Sequence, residues 1–433
     1  MTSLRNLILS VAASVCLSHT AAAEPLIVSG STLTLQDCVS IALSNDPDIK
    51  SLRYTAQAEH DAMRQQLSSY LPGVSASASY LSNHAVQQNV NDAAASSFWT
   101  YDGKSAGLSL QQLIFDFGKT PAKIAAGQAG ERSARFNVEN QVVNVVNTVK
   151  QAYHGLVLSK LALELSDEIV RQYRLNLMYA KAHYQAKVRP KYDVTKAEAD
   201  LSNSQLDRIK AANNLQLAKA YLNNSMNLVD APDYEVQEST DFVVYPAVLD
   251  DVVAASYAQN PQLLSYVAQA EALLSELKAS RRDLYPSLSG NAGYNFSGSR
   301  SPLSQGWNAG LTLSADVFTG LRKSAKVSEQ ENRFAALRYD IDSLKLQIYL
   351  TAKQAYLNLE KAHQSYITAT DQVKQAMENL QIATLRYKTG LGSPMELSDA
   401  TVMYNTAKLS LLQSLYDYRI ARADLEKVMG SKQ

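Results

Sequence analysis

The sequence is poor in the residues that form turns and disulfides. Among its 433 residues are only 2 cysteines, 17 glycines and 11 prolines. So few turn-forming residues in so long a chain argue against an all-β protein and favour long helices. Lysine plus arginine and aspartate plus glutamate both number 41. Because the charges balance, nucleic acid is not an expected partner.

Motifs of enzymes and of metal sites are missing as well. The chain has 6 histidines, and their positions do not show the spacing of metal ligands. There is no serine-nucleophile elbow and no glycine-rich loop for phosphate. We therefore expect no enzyme, no metal and no cofactor, and a secreted enzyme is the least favoured interpretation of this chain.

Long apolar runs are confined to the N-terminus. Arg5 precedes the apolar residues 7–17, and three alanines follow. This pattern predicts a secretory signal peptide over residues 1–23. Cys16 lacks the leucine expected three residues before a lipoprotein cysteine, which favours ordinary cleavage. Beyond this segment no window of about eighteen residues is continuously apolar. We expect an exported protein without a helical membrane span, with Cys38 as a small core residue.

What the sequence does contain is an internal repeat. LQDCVSIALSNDPDIKSL, beginning at Leu35, aligns with LDDVVAASYAQNPQLLSY, beginning at Leu249. We predict a first repeat over residues 24–226, a linker over 227–248 and a second repeat over 249–433. The matched positions are Pro47 with Pro261, Pro72 with Pro286, Tyr80 with Tyr294, Phe115 with Phe318, Tyr153 with Tyr356 and Tyr184 with Tyr387. The first repeat is longer around Ala85–Ser97, which is small and polar and is predicted to form an exposed loop.

Each repeat also contains a helix too long for a globular core. Apolar residues recur at every seventh position, which keeps one seam of a helix against a partner. We predict helices of roughly 65 residues, or about 100 Å at 1.5 Å per residue. Each is followed by a turn and a returning helix, Asp193 to Asn227 and Glu396 to Met429. The heptad positions are Val142, Val149, Leu156, Leu163, Val170, Leu177 and Tyr184 in the first repeat, and Ala352, Leu359, Tyr366, Val373, Leu380 and Tyr387 in the second. In the second repeat a row of small or apolar partners accompanies them: Ile348, Ala355, Ala362, Ala369, Ala376 and Ala383.

Two segments in each repeat alternate between apolar and small polar residues. A helix-like pattern ends at a proline, and an alternating, strand-like pattern begins there, in SSYLPGVSASASY (Ser68–Tyr80) and in RDLYPSLSGNAGY (Arg282–Tyr294). Proline ends a helix because it lacks an N–H group, and it is accepted at the first residue of a strand. Pro72 and Pro286 therefore mark predicted junctions between helix and strand.

Strands of about ten residues with this alternation can cross a bilayer, although a soluble sheet with one wet face would alternate too. Four strands are too few to close a barrel, and open edges in lipid leave backbone groups unpaired. If these strands lie in a membrane, the chain must form a symmetric ring. The composition does not fix the number of copies.

In these stretches the chain resembles the TolC-like outer-membrane efflux proteins. The resemblance rests on the paired ALSNDP and SYAQNP, the paired LSLQQLIFDFG and LTLSADVFTG, and YKTGLGSPMELSDA. It implies a mainly α protein with membrane β. The implied assembly is a trimer with a twelve-stranded outer-membrane β-barrel, four strands per chain, continued by a long α-helical coiled-coil barrel in the periplasm. It also implies an exit duct for a tripartite efflux or type I secretion system, with a periplasmic adaptor, an inner-membrane transporter and outer-membrane lipid as partners.

The resemblance further implies a narrow periplasmic entrance lined by carboxylates at the start of the last helix. The matching residues are Glu396 and Asp399, and Asp193 is the counterpart of Glu396 in the first repeat. Asp193 and Lys196 are expected to compensate each other, so the second repeat should carry the acidic ring. A basic residue common in the family's preceding turn is replaced here by Gly392. Charge and position alone explain Glu396 and Asp399 equally well as acids that favour a helix N-terminus.

A structural periplasmic coiled-coil protein without transport activity is the alternative function. Such a protein would share the heptads, but it would not need paired alternating strands after prolines. The sequence does not indicate the cargo.

Overall fold

The described part of the chain folds into long helices, a four-stranded antiparallel sheet and a short two-stranded parallel pair. The computed structural model describes residues 30–88, 96–229, 231–238 and 241–431; the predicted signal peptide lies outside them. The helices are α1 Leu35–Asn45, α2 Pro47–Ser68, α3 Lys119–Gln185, α4 Lys191–Ser225, α5 Leu249–Gln259, α6 Pro261–Arg282, α7 Arg322–Lys388 and α8 Pro394–Val428. The strands are β1 Thr32–Leu33, β2 Gly73–Gln88, β3 Ser96–Phe115, β4 Glu235–Val236, β5 Ser287–Gly298 and β6 Ser304–Ser314.

The same succession of elements occurs twice, and the helices match in length. The short helices α1 and α5 have 11 residues each, and α2 and α6 have 22. The long helices α3 and α7 have 67 residues each, close to the length predicted from the heptads, and α4 and α8 have 35. The two copies therefore differ in their strands and loops and not in their helices.

Matching N-caps fix the start of α2 and α6. The side chain of Asp46 accepts a hydrogen bond from the backbone N–H of Ile49 at 2.7 Å, and Asn260 accepts one from Leu263 at 3.1 Å. A proline follows each cap, at Pro47 and Pro261. Proline suits the first helical position because its missing N–H would have no partner there. This pair of features separates the short helix from the longer one in both repeats.

The predicted row of small and apolar partners in α7 is buried along its length, whereas Tyr366, Val373 and Leu380 of the heptad itself are only half-buried. Alanine at most positions of this row lets α8 and α6 pack closely against α7. In α3 one predicted position is wrong: Tyr184 is 46 % exposed, and the burial instead follows Val170, Tyr173 and Ala180. A straight helix drifts by about 20° per heptad, so a strict seven-residue register fails toward its end. The buried seam of α7 is Ile341, Ile348, Ala355, Ala362, Ala369, Ala376 and Ala383.

The main sheet has the order β2-β3-β5-β6, with antiparallel pairing throughout. Strands β5 and β6 have 12 and 11 residues, near the predicted ten, but β2 and β3 have 16 and 20. The prediction of a loop over residues 85–97 is wrong at both ends, because pairing continues to Gln88 and resumes at Ser96. Small polar residues favour loops on average, but strand pairing needs only their backbones. Residues 89–95 lie outside the described part.

The two faces of this sheet differ in chemistry. One face is apolar, as in the row Ala76, Leu108, Tyr294 and Trp307 across all four strands. The opposite face carries serine, asparagine and glycine. Its hydroxyls pair between strands, Ser75 with Ser109 at 2.7 Å and Ser79 with Ser105 at 2.8 Å. Large apolar residues are exposed on the first face: Trp307 is 75 % exposed and Leu311 is 72 % exposed.

The largest buried core lies at the middle of the long helices. Cys38, Ile49, Val149, Leu222 and Tyr416 pack in it, and Cys38 is fully buried as predicted. Burial raises the pKa of the Cys38 thiol to about 12. The linker contributes β4, which pairs in parallel with β1. Within the described residues, no helix combines the length and the apolar character needed to cross a membrane.

We predict that Ala369→Leu destabilises the hairpin of α7 and α8. The alanine is 6 % exposed, and extra methyl groups in a close-packed seam cost about 1–3 kcal/mol. Chemical unfolding of the purified protein followed by circular dichroism would measure the change. Thr370→Leu, at the neighbouring exposed position, is the control and should change stability by less than about 0.5 kcal/mol. Equal effects of the two changes would contradict the seam.

Candidate functional site at the hairpin tips

The two helical hairpins end in short turns. Residues 186–190 join α3 to α4, and residues 389–393 join α7 to α8. Each turn contains a residue with positive φ, Lys187 at 58° in the first and Gly390 at 77° in the second. In the second turn the N–H groups of Leu391 and Gly392 both donate to the carbonyl of Arg386, at 2.9 and 2.8 Å. The turn thus caps the C-terminus of α7 before α8 begins.

Arg189 ties the first turn to the second. Its guanidinium donates to the carbonyl oxygen of Gly390 at 3.2 Å and to that of Gly392. Gly392 is needed for this geometry, because a Cβ there would lie 2.9 Å from the backbone nitrogen of Tyr387. The basic group that is missing from the second turn is therefore supplied by the first, at a position that sequence reasoning did not select.

A buried carboxylate lies behind this contact. Asp193 is 4 % exposed, and its Oδ2 has no hydrogen-bond partner within the described residues. It lines a cavity of about 20 Å³, about the volume of one water, together with Asn176 and Tyr387. Burial raises the pKa of Tyr387, and the charge of Asp193 raises it further, while Arg189 opposes the change.

The expected compensation of Asp193 by Lys196 is not formed. Lys196 instead pairs with Asp200, at 2.7 and 3.0 Å, and Ser398 donates to the same carboxylate at 3.1 Å. Spacings of three and four residues both place side chains on one face of a helix, so spacing alone allows either partner. Asp193 is buried in the cavity, and Lys196 pairs with the more accessible Asp200. The contact with Ser398 links α4 to α8.

The two acids of the second repeat have different surroundings. Glu396 accepts a salt bridge from Arg386, with 2.9 Å between Nε and Oε1, and both side chains are partly exposed. Its backbone N–H is capped by Ser393 at 3.1 Å. Asp399 is exposed one turn later and forms no salt bridge with any residue that the structure describes. Of the two carboxylates, Asp399 is the uncompensated one.

The prolines lie at the opposite end of the long helices. Pro72 immediately precedes β2, and Pro286 immediately precedes β5. Beside Pro286, Asp283 forms salt bridges with Lys119 and Lys323. Burial alone would raise the pKa of Asp283, but the hydrogen bond and charge of Lys119 and the charge of Lys323 hold it below its usual value. The rings of Phe117 and Tyr285 stack with centroids 5.4 Å apart.

We predict that Arg189→Gln loosens the second turn. The change removes charge-assisted hydrogen bonds, each worth about 1.5–3 kcal/mol when well formed. Hydrogen exchange of the peptide over residues 386–397 should become about tenfold faster or more. Lys191→Gln, in the same turn region and exposed, should leave that exchange unchanged. Exchange that is identical in the wild type and in Arg189→Gln would show that the contact does not hold the turn.

The described residues contain no cluster of histidine, cysteine, aspartate and glutamate that could hold a metal ion. The tips are a charged and hydrogen-bonded surface. Comparison with known proteins identifies the architecture.

The family described as "Outer membrane efflux protein" matches residues 38–228 and 252–431. Outer membrane efflux protein BepC of Brucella suis is 20 % identical over 330 residues, covering 75 % of this chain and 72 % of BepC. Outer membrane protein TolC of Escherichia coli is 19 % identical over 417 residues, covering 90 % of this chain and 80 % of TolC. The solved outer-membrane channel OprN has the same fold, with a TM-score of 0.80 at 15 % identity, over 92 % of this chain and 90 % of OprN.

The fold class expected from the sequence is confirmed by these structures, and the function by the family match. The chain belongs to the outer membrane efflux protein family: it is an efflux or secretion channel of the outer membrane that extends into the periplasm, and not an enzyme.

Proposed function

We propose that three copies of this chain close a twelve-stranded barrel in the outer membrane and form the exit duct of an efflux or secretion system. The observation that carries the trimer is the open sheet. Strands β2 and β6 each have one neighbour, and unpaired backbone groups in lipid cost several kcal/mol each. Because β2 and β6 run in opposite directions, β6 of one copy can pair with β2 of the next in the same antiparallel pattern.

The apolar face of the sheet has the height of a bilayer. Tyr285 lies beside the junction, and Tyr294 lies in the aromatic row with Trp307. At about 3.3 Å per residue and a strand tilt of about 40°, these two tyrosines lie about 23 Å apart along the membrane normal. Outer-membrane barrels carry an apolar band of about 25 Å between aromatic girdles. This supports the proposal that Pro72 and Pro286 mark the periplasmic edge of the membrane.

In a closed ring the apolar face meets lipid and the serine and asparagine face lines the lumen. The helices α3 and α7 then carry the duct about 100 Å away from the membrane at 1.5 Å per residue. The hairpin tips form its far opening. A structural coiled-coil protein, the alternative function, has no use for an apolar band of this height.

We predict that the protein is a trimer in mild detergent, with a protein mass by light scattering three times that of one chain. Amine-reactive cross-linking in the same detergent should give covalent dimers and trimers and no larger product. Cross-linking after the protein has been denatured is the control and should leave monomers only. A monomeric mass, or no intermolecular product, would overturn the trimer.

We also propose that the tips form a narrow entrance that attracts cations. Three protomers would bring Glu396 and Asp399 around one axis, and acidic rings attract cations in narrow pores. Because Arg386 already compensates Glu396, Asp399 provides most of the free negative charge. Asp193 does not add to this ring, because its carboxylate is buried in the wall beside Tyr387.

The periplasmic adaptor and the inner-membrane transporter belong to this proposal through the family resemblance. They would engage the outside of the helical duct and its tips, while outer-membrane lipid contacts the sheet. No cofactor is required, since the duct provides a path and not a reaction.

We predict that Asp399→Asn lowers cation selectivity in planar bilayers more than Glu396→Gln does. The first change removes an uncompensated charge, and the second removes one that Arg386 already balances. The reversal potential in a tenfold salt gradient gives the selectivity, and block by a trivalent cation should weaken in parallel. Glu329→Gln, near the opposite end of α7, is the control for loss of one acid. If even the double variant at 396 and 399 keeps the selectivity of the wild type, these acids serve only as helix-start charges.

A further inference from the structure

Four helices below the sheet surround a groove that the entrance does not use. Helices α2, α3, α6 and α7 lie side by side, in the order of the strands that they adjoin. All four contribute residues to one groove of about 500 Å³. Neighbouring helix axes lie about 8–10 Å apart, so a flat layer of four would be too wide for one such groove to touch every member. The layer must therefore curve around it, with the groove on the concave side.

The concave side faces the axis when copies close into a ring, so the groove lies on the wall of the lumen. This step rests on the proposed trimeric duct. Lys123 lies one turn into α3, and Lys326 lies one turn into α7. At 1.5 Å per residue they are about 6 Å from the helix starts, directly below the barrel. Any molecule leaving through the barrel must pass this level.

The groove brings together four charges that do not neutralise one another. Glu59 of α2 and Lys123 of α3 line one side, and Glu276 of α6 and Lys326 of α7 line the other. All four side chains are exposed, and none forms a salt bridge with a residue in the described ranges. We call these four residues together with Gln330 the charged groove. Each side offers one acid and one base.

Gln330 provides an independent sign of a missing partner. It is 7 % exposed, and its Oε1 atom is buried with no hydrogen-bond partner among the described residues. A buried acceptor without a donor costs about 1–3 kcal/mol, and a bound molecule with an N–H group would remove that cost. Alanines and Met63 form the apolar remainder of the wall.

We infer that the charged groove is a transient binding site for zwitterionic small molecules with an apolar body. A simple anion would be attracted by the lysines and repelled by the glutamates, and a simple cation would meet the reverse. A molecule with an ammonium and a carboxylate at separate ends places each beside an opposite charge. Its apolar body covers Met63 and the alanines, and its ammonium reaches the free oxygen of Gln330. The site assigns to the duct a cargo preference that the entrance acids do not set.

The test compares three probes of one shape on the purified protein in detergent. The dipeptide Ala-Phe is a zwitterion at neutral pH, N-acetyl-Ala-Phe is an anion and Ala-Phe amide is a cation. Saturation-transfer NMR titrations should give the tightest binding for the zwitterion, by about tenfold over each of the others. Lys123→Gln with Lys326→Gln should abolish the preference of the zwitterion over the cation. Glu59→Gln with Glu276→Gln should abolish its preference over the anion.

Two controls keep the outcome decisive. Lys278→Gln with Lys353→Gln removes two exposed lysines from α6 and α7 outside the groove and should leave all three affinities unchanged. Light scattering on the same sample separates the two hypotheses, because a monomer would contradict the trimeric duct whatever binds. A trimer that binds the three probes equally or not at all, or that keeps its preference in both double variants, would overturn the charged groove as a zwitterion site.

Discussion

The structure depends on one unmet requirement, the pairing of backbone groups along the two edges of a four-stranded sheet. In water such edges can be hydrated, but in lipid each N–H and C=O needs a partner within the protein. Strands β2 and β6 end the sheet, so the chain cannot satisfy them alone. The helices α2, α3, α6 and α7 each adjoin one strand of this sheet. Closing the sheet therefore sets the number of helices around the axis, and it turns a curved layer of helices into a wall.

At the hairpin tips, polar contacts hold together two turns of different sequence. Arg189 reaches the carbonyls of Gly390 and Gly392, and Asp200 accepts from Lys196 and Ser398. These contacts join α4 to α8 and one turn to the other. These contacts are few and polar, and a partner protein can replace them with hydrogen bonds of its own more easily than it can replace a packed apolar seam. The buried seam above the tips, from Ile341 to Ala383, resists such exchange.

The sequence was a good guide to the helices and a poor one to the contacts at the tips. Heptads act through one helix face at a time, so the length of α7 and the burial of its alanines followed from local spacing. The caps Asp46 and Asn260 with their prolines were equally local. The length of β2 was missed because serine and asparagine favour loops on average, while backbone pairing across the sheet decided otherwise.

Some of the site residues could be predicted from the sequence and others could not, because a sequence pattern shows only local spacing. Glu396 and Asp399 could be located by matching a motif, but the contact of Arg189 with the second turn and that of Ser398 with Asp200 depend on how segments far apart in sequence approach each other. No spacing rule links Arg189 to Gly392 across two hundred residues. The charged groove could not be predicted from the sequence either, because its residues come from four helices and do not form a sequence motif.

Equal helix lengths in the two repeats give the two helical hairpins the same length. With 67 residues in both α3 and α7 and 35 in both α4 and α8, the two hairpins reach the same depth. An insertion in one long helix would make its hairpin longer than that of the other repeat. The open end of the duct would then be uneven, unless the other repeat gained the same number of residues. Multiples of seven would also be needed to keep the seam in register. The lengths of the strands can differ between the repeats, as those of β2 and β5 do. The length of the helical duct, in contrast, can change only through equal insertions or deletions in both repeats.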